Sequence, residues 1–159
     1  MSIFVLILDV GMFASAAYSV YWQSQIILRA RYNYFSAILG IVFSAWILAT
    51  PAASNWPYIV AVSLFILVSI MNGVGGVGSR RLVTTGFFSR VIDYKTFAEV
   101  TLIPIDLPGG KNRVVGIFMT STQQRVQLTF NQTVEAIRSE LQKHIPDNVE
   151  INVENINQL

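Results

Sequence analysis

The chain has 159 residues, 53% hydrophobic and 13% charged, with a formal net charge of +2, whereas a soluble domain typically carries about 25% charged residues. It holds no cysteine, which excludes disulfides, iron–sulfur clusters and thiolate zinc sites. A mean hydropathy of +0.52 and a pI near 9.1 go with basic residues that flank apolar stretches and form no stripe, so nucleic acid is excluded as a partner.

Three apolar stretches, residues 3–22, 34–50 and 58–76, fill the first half. A bilayer takes about 20 helical residues, so the pattern predicts three transmembrane helices within a region 1–79. Met1–Asp9 has no Lys or Arg, and a cleaved signal needs a positive start, so the first stretch reads as a retained helix. Tyr18, Tyr21, Trp22, Tyr32, Tyr34, Trp56 and Tyr58 stand at the ends of the stretches, where amphipathic rings suit the headgroup layer. Arg29 and Arg31 lie between the first two stretches, none lies in 51–57, and Arg80 and Arg81 follow the third. Basic loops stay inside. The expectation is a multi-pass protein of the bacterial cytoplasmic membrane, N-terminus outside and C-terminal domain in the cytoplasm. The four arginines are also candidate lipid-headgroup contacts.

Within the stretches, Asp9 is the one charged residue and a candidate intramembrane polar site. Gly11, Ser15 and Ser19 recur every four residues, a spacing that permits close helix contact, within this chain or with a partner. Gly73-Val-Gly-Gly-Val-Gly78 matches G-x-G-x-x-G letter for letter. A dinucleotide fingerprint needs a strand before it and a helix after it. Here the glycines follow an apolar helix, so they read as a flexible exit from the bilayer.

Residues 80–159 read as a small α+β domain. Residues 82–94 suggest one bent strand or a hairpin, 100–105 and 113–120 two more strands, and 107–112 a turn. In 125–130, Val126, Leu128 and Phe130 alternate with Arg125, Gln127 and Thr129. The period then changes: Val134, Ile137, Leu141 and Ile145 form one stripe of a helix over about 132–145, capped by Asn131 and ended by Pro146. Residues 147–159 add a strand or form a tail. An antiparallel sheet covered by a C-terminal helix buries both apolar faces, and Val126, Leu128 and Phe130 are expected to face the helix stripe.

Gly86-Phe87-Phe88, Tyr94, the short strands and the single terminal helix, after three apolar stretches, resemble the bacterial YobD-type membrane proteins. Those resemble membrane-anchored relatives of bacterial pleckstrin-homology-like (PH-like) domains. The likeness in architecture covers nearly the whole chain, and the likeness in residues about 86–102. The glycine-rich junction and the longer tail depart from it. The resemblance implies a PH-like cytosolic domain and brings no activity with it.

Chemistry is sparse. His144 is the only histidine, beside Lys143 in the last helical turn, and one histidine makes no metal site. Asp93 and Asp106 are the best carboxylate pair, both at strand ends where turn residues gather. No base–nucleophile pair stands out. The reading is a non-enzymatic, membrane-anchored interaction module without catalytic, cofactor or metal residues. Its partners are the lipid bilayer and an unidentified membrane or cytosolic protein, and a homo-oligomer is compatible with the pattern. The alternative is an accessory or immunity-type subunit of a membrane transporter, acting through its helices.

Overall fold

A run of large aliphatic residues without basic side chains forms a helix at low cost, because a helix pairs its own main-chain groups. Three such runs become α1 (Ile3–Ser24), α2 (Tyr34–Leu48) and α3 (Trp56–Met71). The structure, a computed structural model, describes residues 3–50, 55–86, 89–107 and 111–154, with side chains left out at 106, 107 and 111.

The helix lengths correct the three-span expectation. α1 has 22 residues and is, among the described residues, the one helix long and apolar enough to cross a bilayer. α2 has 15 residues and α3 has 16. At about 1.5 Å per residue they reach roughly 22 and 24 Å, short of a hydrocarbon core of about 30 Å. The reason for α3 is local. Residues 72–76 were expected to complete it, but the glycines turn the chain and take it into a strand, β2 (Gly76–Gly78). Each glycine in a helix costs about 1 kcal/mol relative to alanine. A multi-pass protein of the bacterial cytoplasmic membrane is therefore not supported. The inside–outside assignment falls with it, since it presupposed three crossings.

The chain divides into two compact units. The first holds Met1–Ser24, Tyr32–Val74 and Thr85–Ser89, and α3 packs on both α1 and α2. Gln23 Nε2 donates to the Met71 carbonyl at 2.7 Å, and the Tyr32 hydroxyl to Ile70 at 2.8 Å. The Asn33 N–H donates to the Gly73 carbonyl at 2.9 Å. The end of α1, the start of α2 and the end of α3 therefore share one end of the unit, and α2 runs against the other two. Small residues make the α2–α3 contact. Ser36, Gly40 and Ser44 are buried at a spacing of four, and a Cβ on Gly40 would collide with the Ser69 side chain. This is the close approach that small residues allow. The row expected to do this work sits elsewhere: Gly11 and Ser15 are exposed and Ser19 is half-buried.

The second unit holds Gln25–Arg31, Gly75–Thr84 and Arg90–Leu159. Its first sheet is antiparallel, in the order β1 (Ile26–Arg29), β2, β3 (Arg81–Val83), β4 (Val91–Asp93). The expected flexible exit is thus a buried strand. Gly76 has φ +155°, and a Cβ there would run into the Leu28 carbonyl; only glycine allows both. After a one-turn 3₁₀ helix at Tyr94–Thr96 comes the second sheet. β5 (Phe97–Leu107), β6 (Lys111–Thr120) and β7 (Arg125–Phe130) form an antiparallel meander. α4 (Val134–His144) then returns the chain to β8 (Glu150–Val153), which pairs in parallel with β5 at the edge. One main-chain bond, from Arg31 N–H to the Thr129 carbonyl, links the strand end after β1 to β7.

Two four-stranded sheets, one with a parallel edge strand beyond the helix, replace the expected single antiparallel PH-like sheet ending in a helix. The sequence hid this because β1 and β2 come from segments read as membrane loops. Thr133, not Asn131, caps α4, its hydroxyl accepting from Ala136 N–H at 3.4 Å. The core joins both sheets and the helix: Val77 and Leu82, then Val100, Leu102, Val114, Phe118, Leu128 and Phe130, then Ile137, Leu141 and Ile145. Val126 and Val134 are half-buried against it, so β7 and α4 meet on the faces that their periods assign.

Candidate functional site

Two features of the second unit bring chemistry-bearing residues together. The first lies at the last turn of α4. His144 stands seven residues after Ile137 and three after Leu141, which puts it on the edge of the buried stripe. Its ring stacks on Tyr94, 17° between planes and 6.4 Å between centroids. Tyr94 is 3% exposed and its hydroxyl donates to the Gly78 carbonyl at 2.6 Å. Burial pushes the phenol's pKa up, with a lesser push from the charge on Glu140. Glu140 accepts from Lys143 Nζ at 2.9 Å and pairs with His144 Nε2 at 3.1 Å. The Lys143 hydrogen bond first, and the His144 bond second, hold its carboxyl below the usual range. The cluster contains a phenol, an imidazole and a carboxylate, yet the phenol is committed to a carbonyl and the imidazole to a carboxylate. Its geometry fastens α4 to Tyr94 and β2.

The second feature is a depression of about 280 Å³ between the end of α4 and β8, lined by Arg138, Gln142, Pro146, Asp147, Val149 and Ile151. Val149 belongs to the core and Ile151 packs on it, whereas Arg138, Gln142 and Asp147 are exposed. A mostly polar lining over the edges of Val149 and Ile151 suits a side chain of a peptide that is itself part polar. The open edge of β8 runs beside it. The Glu154 N–H donates to the Leu102 carbonyl. By the alternation of a parallel ladder, Ile151 and Val153 therefore turn their main-chain N–H and C=O groups away from β5. Among the described residues β8 is the last strand in its sheet, and Val153 is 40% exposed.

The residues singled out in the sequence are not gathered into one site. Arg29 ends β1 opposite Gly76, with Arg31 two residues on, and Arg80 and Arg81 sit at the β2–β3 turn, where Gly78 pairs with Ile26 at the other end of β1. The two arginine pairs thus lie at opposite ends of one sheet. Arg29, Arg31 and Arg80 are exposed, and Arg81 Nε lies 3.8 Å from Asp93 Oδ2. Asp93 Oδ1 caps the 3₁₀ turn through Lys95 N–H at 3.1 Å. The side chain of Asp106 lies outside the described residues, as do Phe87 and Phe88, two of the residues that carry the resemblance. Asp9 is half-buried on α1, and its Oδ1 is shielded without a hydrogen-bond partner. No group of three or more His, Cys, Asp or Glu suited to a metal occurs among the described residues.

The Tyr94–His144 contact escaped the sequence reading because 50 positions separate its members. The available signal was His144's spacing from Ile137 and Leu141. The β8 edge was legible only as an undecided strand in 147–159. Compared with protein-family models, curated proteins and solved structures, the chain matches none.

Proposed function

We propose that this protein is a non-enzymatic recruitment module, attached to lipid through α1, whose second unit holds a protein partner as an extended segment along β8. The observation that carries the reading is the β8 edge, unpaired among the described residues, beside a depression lined by Val149 and Ile151 together with polar side chains. Main-chain groups of Ile151 and Val153 offer a ladder for strand addition, and the depression offers a pocket for one side chain. α1 supplies the attachment because its length and composition suit a single crossing.

The experiment places a photo-crosslinking residue at exposed Glu150 of the full chain in cells. A discrete adduct is expected, and Val153→Pro should abolish it. That proline removes an outward donor without taking a bond from the β5 ladder. No adduct, or one that Val153→Pro leaves unchanged, contradicts the reading.

The rival reading, an accessory or immunity-type subunit acting on a transporter, draws on the shielded, unpartnered Asp9 Oδ1 and the exposed Gly11 and Ser15. It predicts that Asp9→Asn reproduces the phenotype of deleting the protein while Val153→Pro does not.

A further inference from the structure

The first unit is built with its large apolar residues outward. On α2, the buried residues are Ser36, Gly40 and Ser44. Phe35, Ile38, Val42 and Trp46 are between 58% and 70% exposed. On α3, Pro57, Ala61, Val62 and Ser69 are buried while Ile59, Leu67 and Ile70 are 44–49% exposed. Water selects the opposite arrangement, since burying large aliphatic side chains is the main favourable term in folding. Residues 34–50 and 55–72 contain no Asp, Glu, Lys or Arg, so the outward faces have no polar side to turn to solvent.

We propose that lipid acyl chains cover the α2–α3 hairpin, beyond the attachment of α1 on which the proposed function rests. The occupant follows from the extent of the exposed surface. At about 100° per residue, Phe35, Ile38, Ile41, Val42, Phe43 and Trp46 fan over roughly half of the α2 circumference. α3 adds its own outward residues, and so does α1, where Phe4, Ile7, Val10 and Phe13 are 63–73% exposed. A second copy of the chain or a folded partner covers one patch, about 800 Å² a side in a standard interface. Fluid acyl chains cover every face without matching its shape. In that solvent the attraction between helices comes from close contact of small residues, which is what Ser36, Gly40 and Ser69 provide. Two hydroxyls are satisfied close by: Ser36 Oγ donates to the Asn33 carbonyl at 3.3 Å and Ser63 Oγ to the Ile59 carbonyl at 2.8 Å. Because Asn33 and Gly73 are hydrogen-bonded, the hairpin enters and leaves the lipid at one end.

The test uses the three tryptophans, Trp22 on α1, Trp46 on α2 and Trp56 at the start of α3. Full-length variants keep Trp22 alone or Trp46 alone, the others replaced by Phe, in phosphatidylcholine/phosphatidylglycerol vesicles. With acyl chains brominated, Trp46 emission should fall several-fold, while aqueous acrylamide should leave it nearly unchanged. Quenching of Trp22 but not of Trp46 by bromolipid overturns the hairpin proposal and leaves the α1 attachment standing. Quenching of neither overturns both. Trp46 shielded from both quenchers, with the chain cross-linking to itself in the vesicles, assigns the face to a second copy and also overturns the proposal.

Discussion

The Tyr94 hydroxyl donates to the Gly78 carbonyl at 2.6 Å, tying the segment after β4 to the buried strand β2. Tyr94→Phe keeps the ring stack on His144 but removes this buried hydrogen bond, which costs about 0.5–1.5 kcal/mol. A lower melting temperature is expected at neutral pH. The linkage has a definite sign. Burial raises the folded pKa above the ordinary value of 10, so the stabilisation is full below pH 10 and declines as pH rises above it. Denaturation followed from pH 9 upward should show a loss that is smaller in Tyr94→Phe.

Gly76 and Gly11 make a contrasting pair. Gly76 has φ +155° and no room for a Cβ, whereas nothing lies within 4 Å of a Cβ at Gly11. Gly76→Ala should destabilise by at least about 1–3 kcal/mol of backbone strain, with the collision added. Gly11→Ala should be neutral or stabilise by up to about 1 kcal/mol, the helix preference for alanine. Thermal denaturation of the full chain in detergent reads both; equal effects would contradict the placement of β2.

Leu141 is fully buried and Gln127 is exposed. Truncating a buried Leu to Ala costs about 2–5 kcal/mol, out of a typical total of about 5–15 kcal/mol. Leu141→Ala should lower the melting temperature sharply and Gln127→Ala hardly at all. The comparison belongs in the full chain, because a fragment starting at residue 82 would lack β1 and β2, and with them Val77 of the core.

The pattern in the sequence made β7 and α4 legible, since alternation in 125–130 and spacings of three and four from Val134 each commit one face. The same logic failed where the chain has too few residues to show a period. β1 has four residues and β2 three, and β2 is Gly-Val-Gly, in which two glycines, depleted in strands, outweigh one valine. Its strand character comes from Leu28 on one side and Leu82 on the other, contacts that no local rule supplies. Hydropathy marked three apolar stretches but not their helical lengths, because the glycines after Met71 are counted as apolar and yet end α3. The β8 edge is fixed by pairing with β5 some 50 positions earlier, so a local reading left it open.

Glu140 sits below its ordinary pKa because Lys143 and His144 hydrogen-bond its charged form. A depressed carboxylate contributes stability that is present above the ordinary value of 4.5 and lost as pH falls through the folded pKa. Glu140→Gln should therefore be less stable than the parent at pH 6, and the two should converge as the pH falls below 4.5 and through the folded pKa. A difference that persists unchanged at low pH would show that Glu140 acts by packing and not by charge.

Attachment to lipid through the apolar helices can be read directly by flotation. The purified full chain is mixed with phosphatidylcholine/phosphatidylglycerol vesicles and centrifuged through a density gradient at high salt and alkaline carbonate. The account predicts that the protein rises with the vesicles and stays with them, because the attachment is apolar and insensitive to salt. Protein left at the bottom of the gradient as a folded monomer would contradict it.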